Sequence, residues 1–273
     1  CRVKKGNTLL ERSCTWLDDF SFFLVTDQGL EIFRYSSQKV DWRRVDSTKQ
    51  ATSNYWFLPP TEMNPAFAIV LLASPKGKAG KNPAADIRCF AIQPGTPNTS
   101  AKKIMSFVIQ CGEEGQDLSK PADRKALQRR VKICELYRRP CCIFLGQNGR
   151  KMGIYQLSRS AQGSKPRTFE IFGDGKAIIG TIDNLICLHM MDVALTLVYD
   201  PAGDAPRPFG SPLPICFPTD LVQNGKDSAA YGKNCHLLWP RWLIRQTDGT
   251  EEDPAAKKHF ELWKLRIDPA STM

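Results

Sequence analysis

Along this chain apolar residues recur in short runs rich in β-branched and aromatic side chains, each closed by turn residues. Phe20 to Thr26, the turn Asp27-Gln28-Gly29, and Leu30 to Tyr35 predict a hairpin whose second strand alternates apolar with polar positions. The same grammar predicts strands at Ala66 to Ala73, Ile87 to Ile92, Ile104 to Gln110, Cys141 to Leu145, Gly153 to Leu157, Arg167 to Phe172, Leu185 to His189, Leu195 to Tyr199, Leu237 to Gln246 and Phe260 to Ile267. One stretch competes for helix. Ser119 offers a cap and Pro121 suits a first turn, so a short helix or ordered loop is expected to about Gln128. Val131-Lys132-Ile133-Cys134 then alternates with period two, as a strand does, and Tyr137-Arg138-Arg139-Pro140 turns into the next one. The expected class is all-β. At four strands and roughly 40 to 45 residues per blade, the 273 residues correspond to about five or six blades of a WD-repeat-like β-propeller, while a single β-sandwich would leave the second half unexplained. No Trp-Asp signature closes each unit, so the period supports the class more firmly than the propeller.

Polar, Pro- and Gly-rich stretches at Ser74 to Ala85, Gln93 to Ser100, Gly112 to Ala122, Pro201 to Pro214, Asn224 to Lys233 and Asp248 to Lys257 read as surface loops. With 42% hydrophobic and 24% charged residues, general disorder is excluded, and 273 residues suffice to bury a core without staples. Cys1 stands where an initiator Met would, which reads as a piece cut from a longer polypeptide, and no apolar run has the length of a signal peptide or a membrane-spanning helix. Most of the ten cysteines lie in apolar runs and are expected to be reduced core thiols. The Asn98-Thr99-Ser100 sequon would matter only in a secreted protein.

Chemistry-bearing motifs fail one after another. Gly77-Lys78-Ala79-Gly80-Lys81-Asn82 has neither the glycine spacing nor the hydroxyl of a phosphate loop, and Gly173-Asp174-Gly175 is followed by strand-like Ala177 to Ile182 rather than the helix a dinucleotide site needs. Metal sites use converging Cys or His pairs, whereas His189, His236 and His259 are isolated and the adjacent Cys141-Cys142 would point to opposite faces of a strand. No cofactor, metal or catalytic residue is assigned, and the expectation is a protein that is not an enzyme.

Charge is the informative departure. The chain carries +10, and the window Lys120 to Lys151 alone holds ten basic residues against Asp123 and Glu135, a contribution of +8. Lys120, Arg124, Lys125, Arg129, Arg130, Lys132, Arg138 and Arg139 form the candidate docking patch. A smaller cluster comprises Lys76, Lys78, Lys81, Arg88, Lys102 and Lys103. Such patches suit an anionic membrane or an acidic protein face; nucleic acid is disfavoured because no recognition motif or interleaved exposed aromatics accompany them.

Four blocks carry a family resemblance: Cys14-Thr15-Trp16, the hairpin Phe23 to Phe33 around Thr26-Asp27-Gln28-Gly29, Asp183 to His189, and Trp242 to Ile267 with Leu262-Trp263-Lys264-Leu265. In this order and spacing the chain resembles the amino-terminal region of the regulator subunit of the Mon/Ccz complex, the family also known as colon-cancer-associated Mic-like proteins and as Bulli in flies. The resemblance implies that residues 1–273 are a partial β-propeller, lacking the first blade or two and a carboxy-terminal helical domain. It further implies a non-catalytic accessory subunit of the exchange factor for a late-endosomal Rab GTPase. Its partners would be Mon and Ccz type subunits, with anionic endosomal membrane beside them. Its place would be cytoplasmic, peripheral on late endosomes and lysosomes, in endosome maturation, autophagy and lysosomal traffic. The basic insertions at Ser74 to Ala85 and around Lys120 depart from the animal members. Two rivals remain: a coat-type vesicle-traffic propeller of another complex, and a ligand-binding or enzymatic propeller with His189, Asp183 or His236 at a central channel.

Overall fold

The computed structural model describes residues 7–76, 84–96, 99–110, 118, 120–146, 150–172, 177–190, 192–193 and 195–214, together with the strand backbone at 235–238, 242–247 and 259–264. The strands are β1 (Leu9–Asp18), β2 (Ser21–Thr26), β3 (Gly29–Ser36), β4 (Asp41–Ser47), β5 (Asn54–Leu58), β6 (Ala68–Lys76), β7 (Ala84–Ile92), β8 (Ala101–Gln110), β9 (Val131–Leu136), β10 (Arg139–Leu145), β11 (Lys151–Gln156), β12 (Arg167–Glu170), β13 (Ala177–Ile182), β14 (Leu185–Met190), β15 (Leu195–Tyr199), β16 (Leu213–Pro214), β17 (Cys235–Leu238), β18 (Trp242–Thr247) and β19 (His259–Lys264). One α-helix, α1 (Pro121–Arg130), and one 3-10 turn (Arg159–Ala161) complete the described elements. The all-β expectation holds. Sheets follow chain order without crossovers: β1-β2-β3-β4, β5-β6-β7-β8, β9-β10-β11-β12, β13-β14-β15-β16 and the three-stranded β17-β18-β19. Among the described residues no helix is long and apolar enough to cross a membrane.

The chain divides into two compact units, Cys1–Gln147 with Gly153–Arg167, and Asn148–Met152 with Thr168–Met273. In the first, period-two alternation lets β5 to β8 carry two apolar faces. Trp56, Leu71, Ile87, Met105 and Phe107 pack against Leu127 of α1 and Val131, Ile133, Cys142 and Tyr155 of the β9–β11 region. The opposite face, with Val70, Leu72, Phe90 and Ile92, packs against Phe23, Val25, Leu30 and Ile32 of β2 and β3. Each such side chain contributes about 1.5–3 kcal/mol on leaving water, so this twice-covered sheet is the anchor of the unit. Its outer strand β8 is stoppered where the edge would be open. The amide of Gln162 accepts from Ser106 N–H at 3.0 Å and donates back to the Ser106 carbonyl at 3.5 Å, imitating a neighbouring strand.

The β1–β2 turn is tied to the β7–β8 turn by Asp18, whose carboxylate accepts from Gly95 N–H at 2.7 Å and Phe20 N–H at 2.8 Å. Burial raises the Asp18 pKa, but the hydrogen bonds from Ser21, Gly95 and Phe20 outweigh it and hold the group below its usual value. Cysteines behave as core residues at Cys89, Cys134, Cys141, Cys142 and Cys187, all buried without a disulfide, whereas Cys14 is exposed. Burial pushes the thiols of Cys89 and Cys134 up to about 12. They are poor nucleophiles at neutral pH.

In the second unit β13, β14 and β15 pair in register, with Ile179 opposite Leu188 and Leu188 opposite Leu197. The segment after β15 folds back alongside it, on the edge that β16 also pairs. Phe209 N–H donates to the Val198 carbonyl at 2.6 Å and Glu170 N–H to the Pro206 carbonyl at 2.8 Å. Phe169 and Tyr199 meet edge to face at 5.7 Å, and the Tyr199 hydroxyl donates to the Glu170 carbonyl at 2.9 Å.

The expected strand from Leu237 to Gln246 is two strands, β17 and β18, with Leu238 opposite Trp242. Pro240, which has no N–H to give a ladder, stands between them. The Gly77-to-Asn82 loop, Gly173-Asp174-Gly175, Asn98 and Ser119 lie outside the described residues.

Candidate interaction surface

Helix α1 starts at Pro121, whose ring presets φ and whose missing N–H would be unpaired in a first turn anyway. Lys120 is the N-cap residue, without a side-chain cap, and Arg129 and Arg130 close the last turn, where cations complement the helix dipole. A lysine at the opposite, positive end gains nothing from the dipole, so Lys120 is a placement that helix stability does not favour. Leu127 alone of the helix is fully buried and pins it to the core.

Residues some seventy positions earlier grip the far end. Asn54 Nδ2 donates to the Arg124 carbonyl at 2.8 Å and to Gln128 Oε1 at 3.1 Å; Trp56 Nε1 donates to the Gln128 carbonyl at 3.4 Å, and Gln128 Nε2 returns a bond to the Tyr55 carbonyl at 2.9 Å. The Gln128 carbonyl, in the last turn where the helix offers no donor, is thereby satisfied, and the Arg124 carbonyl takes a bond from outside the helix. Replacing Asn54 by Ala removes two of these bonds and is expected to cost about 1–2 kcal/mol. Amide hydrogen exchange along α1 quickens while that of β6 and β7 stays slow. Unchanged exchange in α1 would show that Leu127 alone holds the helix.

The eight basic positions do not form one cluster. Lys120, Lys125 and Arg129 are exposed, the last two one helical turn apart on the same side. Arg124, Arg130 and Lys132 are half-buried and engaged by neighbouring groups. Arg138 and Arg139 sit at the far end of β9, roughly 20 Å away for a six-residue strand. There Tyr137 and Arg138 both take positive φ, 50° and 60°, the backbone of a type I′ turn that ordinarily calls for Asn-Gly. Two side-chain-bearing residues held in that region cost of order 1–3 kcal/mol each and present Tyr137, Arg138 and Arg139 to solvent. Arg139 reaches Gln156 Oε1 at 3.5 Å. In the smaller cluster Lys76, Lys102 and Lys103 are exposed and Arg88 pairs with Asp86 at 3.4 Å; Lys78 and Lys81 lie outside the described residues.

A catalytic arrangement does not assemble from the residues that would have suggested one. Buried His189 shares a hydrogen bond between Nδ1 and Thr196 Oγ1 at 2.9 Å, and its other edge lies so close to Gly180 that a Cβ there would come within 2.5 Å of Nε2. Asp183 occupies the β13–β14 turn with φ 53°, beyond Leu185, which is itself four residues, about 13 Å, from His189 along β14. His236 lies on β17, where only the backbone is described. A cavity of about 530 Å³ in the second unit is walled by Phe172, Met190, Leu195, Leu197 and Pro208, with Arg207 its charged lining residue and no acid–base pair. Among the described residues no group of three His, Cys, Asp or Glu side chains is placed to hold a metal.

Sequence reasoning found the basic residues but missed Asn54 and Trp56, which position them. The available signal was an Asn opening the alternating run Asn54-Tyr55-Trp56-Phe57-Leu58.

No family model matches the chain. It is 21% identical over 207 residues to the human Regulator of MON1-CCZ1 complex and 20% identical over 207 residues to the mouse protein of that name. Each match covers 73% of this chain but only 28% of the relative's length. The chain is thus a distant relative of these regulators.

Proposed function

We propose that residues 1–273 belong to a WD-repeat-like β-propeller that acts as a non-catalytic scaffold in a Mon/Ccz-type exchange complex for a late-endosomal Rab GTPase. The 21% identity over 207 residues to the human regulator carries this reading. Support for the propeller comes from the sheets, four of them four-stranded and all antiparallel meanders in strict chain order, the connectivity of successive blades. On this reading the protein works in the cytoplasm, peripheral on late endosomes and lysosomes, with Mon and Ccz type subunits as partners, in endosome maturation, autophagy and lysosomal traffic. The basic face of α1, unfavourably charged at Lys120, docks on anionic membrane. When the protein is co-expressed with tagged Mon and Ccz type subunits from the same source, affinity capture of either tag recovers it in stoichiometric amount. Recovery with neither subunit rejects the partner assignment and moves the coat-type rival ahead of it.

A further inference from the structure

The β9–β10 hairpin closes in a turn that its own residues disfavour. Leu136 faces Arg139 across a two-residue loop, and Tyr137 and Arg138 both hold positive φ, where an Asn-Gly pair would sit without strain. Among the described residues these are the only two adjacent non-glycine residues that share such a backbone. The structure beneath leaves the turn little freedom. Cys134, Leu136, Cys141 and Cys142 are buried, the Pro140 ring fixes φ directly after Arg139, and the Pro140 carbonyl accepts from Leu157 N–H at 2.8 Å. From the β5–β6 connection the Thr61 hydroxyl donates to the Glu135 carboxylate. Tyr137, Arg138 and Arg139 are therefore exposed side chains on a fixed base, Tyr137 to 42%. Hairpin and base lie within the first compact unit, and the turn projects past the strand ends, whereas packed sheets meet on their strand faces.

We propose that this turn is a protein-docking tip on which Tyr137, Arg138 and Arg139 hold an acidic segment of a Mon or Ccz type subunit, which rests on the scaffold function proposed for the chain. Strain selects the residues. Asn-Gly would close the same hairpin more cheaply, so Tyr137 and Arg138 stand there for their side chains. Side-chain chemistry selects the partner. A guanidinium donates two parallel hydrogen bonds to a carboxylate, and an aromatic ring beside it adds apolar contact; Tyr and Arg are the residue types that carry much of the binding energy between proteins. On a fluid anionic bilayer a basic residue acts as a charge, Lys serves as well as Arg, and nothing there exploits a rigid turn. An ordered protein face does exploit it, because side chains fixed in advance lose little freedom on binding.

The measurement is the affinity of the full chain for the purified Mon/Ccz-type pair from the same source, titrated by calorimetry at physiological salt. Arg138→Glu with Arg139→Glu is expected to weaken it by about tenfold or more. Arg138→Lys with Arg139→Lys keeps the charge, loses the fork and weakens it by about fivefold. Tyr137→Asn with Arg138→Gly separates binding from folding: it relieves the turn and raises Tm by about 3 °C or more, yet weakens binding by about tenfold. Lys102→Glu with Lys103→Glu makes the same charge change at exposed positions of β8 and leaves the affinity within about twofold. Parent affinity in the Arg→Glu or the Arg→Lys variant, a loss at Lys102 and Lys103 as large as at the arginines, or no gain in Tm from Tyr137→Asn with Arg138→Gly overturns the tip and leaves the scaffold function standing. No binding by the parent chain overturns both. Reduced flotation of the Arg→Glu variant on phosphatidylserine vesicles with its subunit affinity intact also overturns the proposal and gives the tip to the membrane.

Discussion

Reversal of Lys120, Lys125 and Arg129 to Glu lowers partitioning onto phosphatidylserine-containing vesicles by at least two orders of magnitude. Each basic residue close to an anionic bilayer contributes about 1 kcal/mol, so losing three costs about 3 kcal/mol, or about 150-fold, before the repulsion of the new carboxylates is counted. These three are the right residues because they are exposed on α1, whereas Arg124 and Arg130 are half-buried and already engaged. Reversing the latter would confuse lost lipid contact with a loosened helix. Circular dichroism and thermal stability of the triple variant should match the parent, since nothing in the core depends on the three heads. Reversal of Arg138 and Arg139 is a separate experiment. At roughly 20 Å along β9 they lie beyond a Debye length of about 8 Å at physiological salt, so the two reversals should multiply rather than overlap. Flotation that falls equally on neutral and anionic vesicles, or that is untouched by the triple reversal, would remove α1 from the membrane.

The contrast between α1 and its grip shows what a sequence displays and what it hides. The strands expected at Ala66 to Ala73, Ile104 to Gln110 and Leu195 to Tyr199, which stand at Ala68–Lys76, Ala101–Gln110 and Leu195–Tyr199, were legible in their centres because the buried positions alternate or run continuously between turn residues, while ends of the first two shift by two or three residues. So was the Tyr137-Arg138 turn, through the break in apolar alternation before Pro140. β4 was not: Asp41-Trp42-Arg43-Arg44-Val45-Asp46-Ser47 is an edge strand with mostly exposed residues, and an edge strand's charges look like a loop's. Nor were Asn54 and Trp56 readable as helix clamps, since their partners lie about seventy residues away and only folding sets them side by side. The basic residues were individually visible, but their division into an α1 group and a hairpin-tip group depends on the length of β9, which is a property of the fold.

The first hairpin holds the sharpest steric demand among the described glycines of positive φ. Gly29 adopts φ +132°, and a Cβ built there would lie 2.2 Å from the Thr48 carbonyl oxygen. Backbone, rather than a side-chain tip that can swing aside, occupies that space. The segment after β4 is laced to this turn: Thr48 N–H donates to the Leu30 carbonyl at 2.8 Å, Gln50 N–H to Gln28 at 2.9 Å and Thr52 N–H to Asp27 at 2.8 Å. Gln50 in turn donates to Ser74 Oγ at 2.8 Å, so a shift at Thr48 is passed to the edge of β6. Gly29→Ala is therefore expected to cost about 3–5 kcal/mol, combining backbone strain with displacement of a hydrogen-bonded strand connection. Against a total stability of about 5–15 kcal/mol this is a lowering of Tm by about 10 °C or more. Gly95→Ala separates the two contributions, because Gly95 also has positive φ, +75°, but nothing lies within 4 Å of its Cβ position. That variant bears the left-handed penalty alone, about 1–2 kcal/mol, and should lose only a few degrees. Equal losses in the two variants, measured by thermal and urea unfolding, would mean that φ alone sets the cost and that the close approach of Thr48 to the turn does not organise the hairpin.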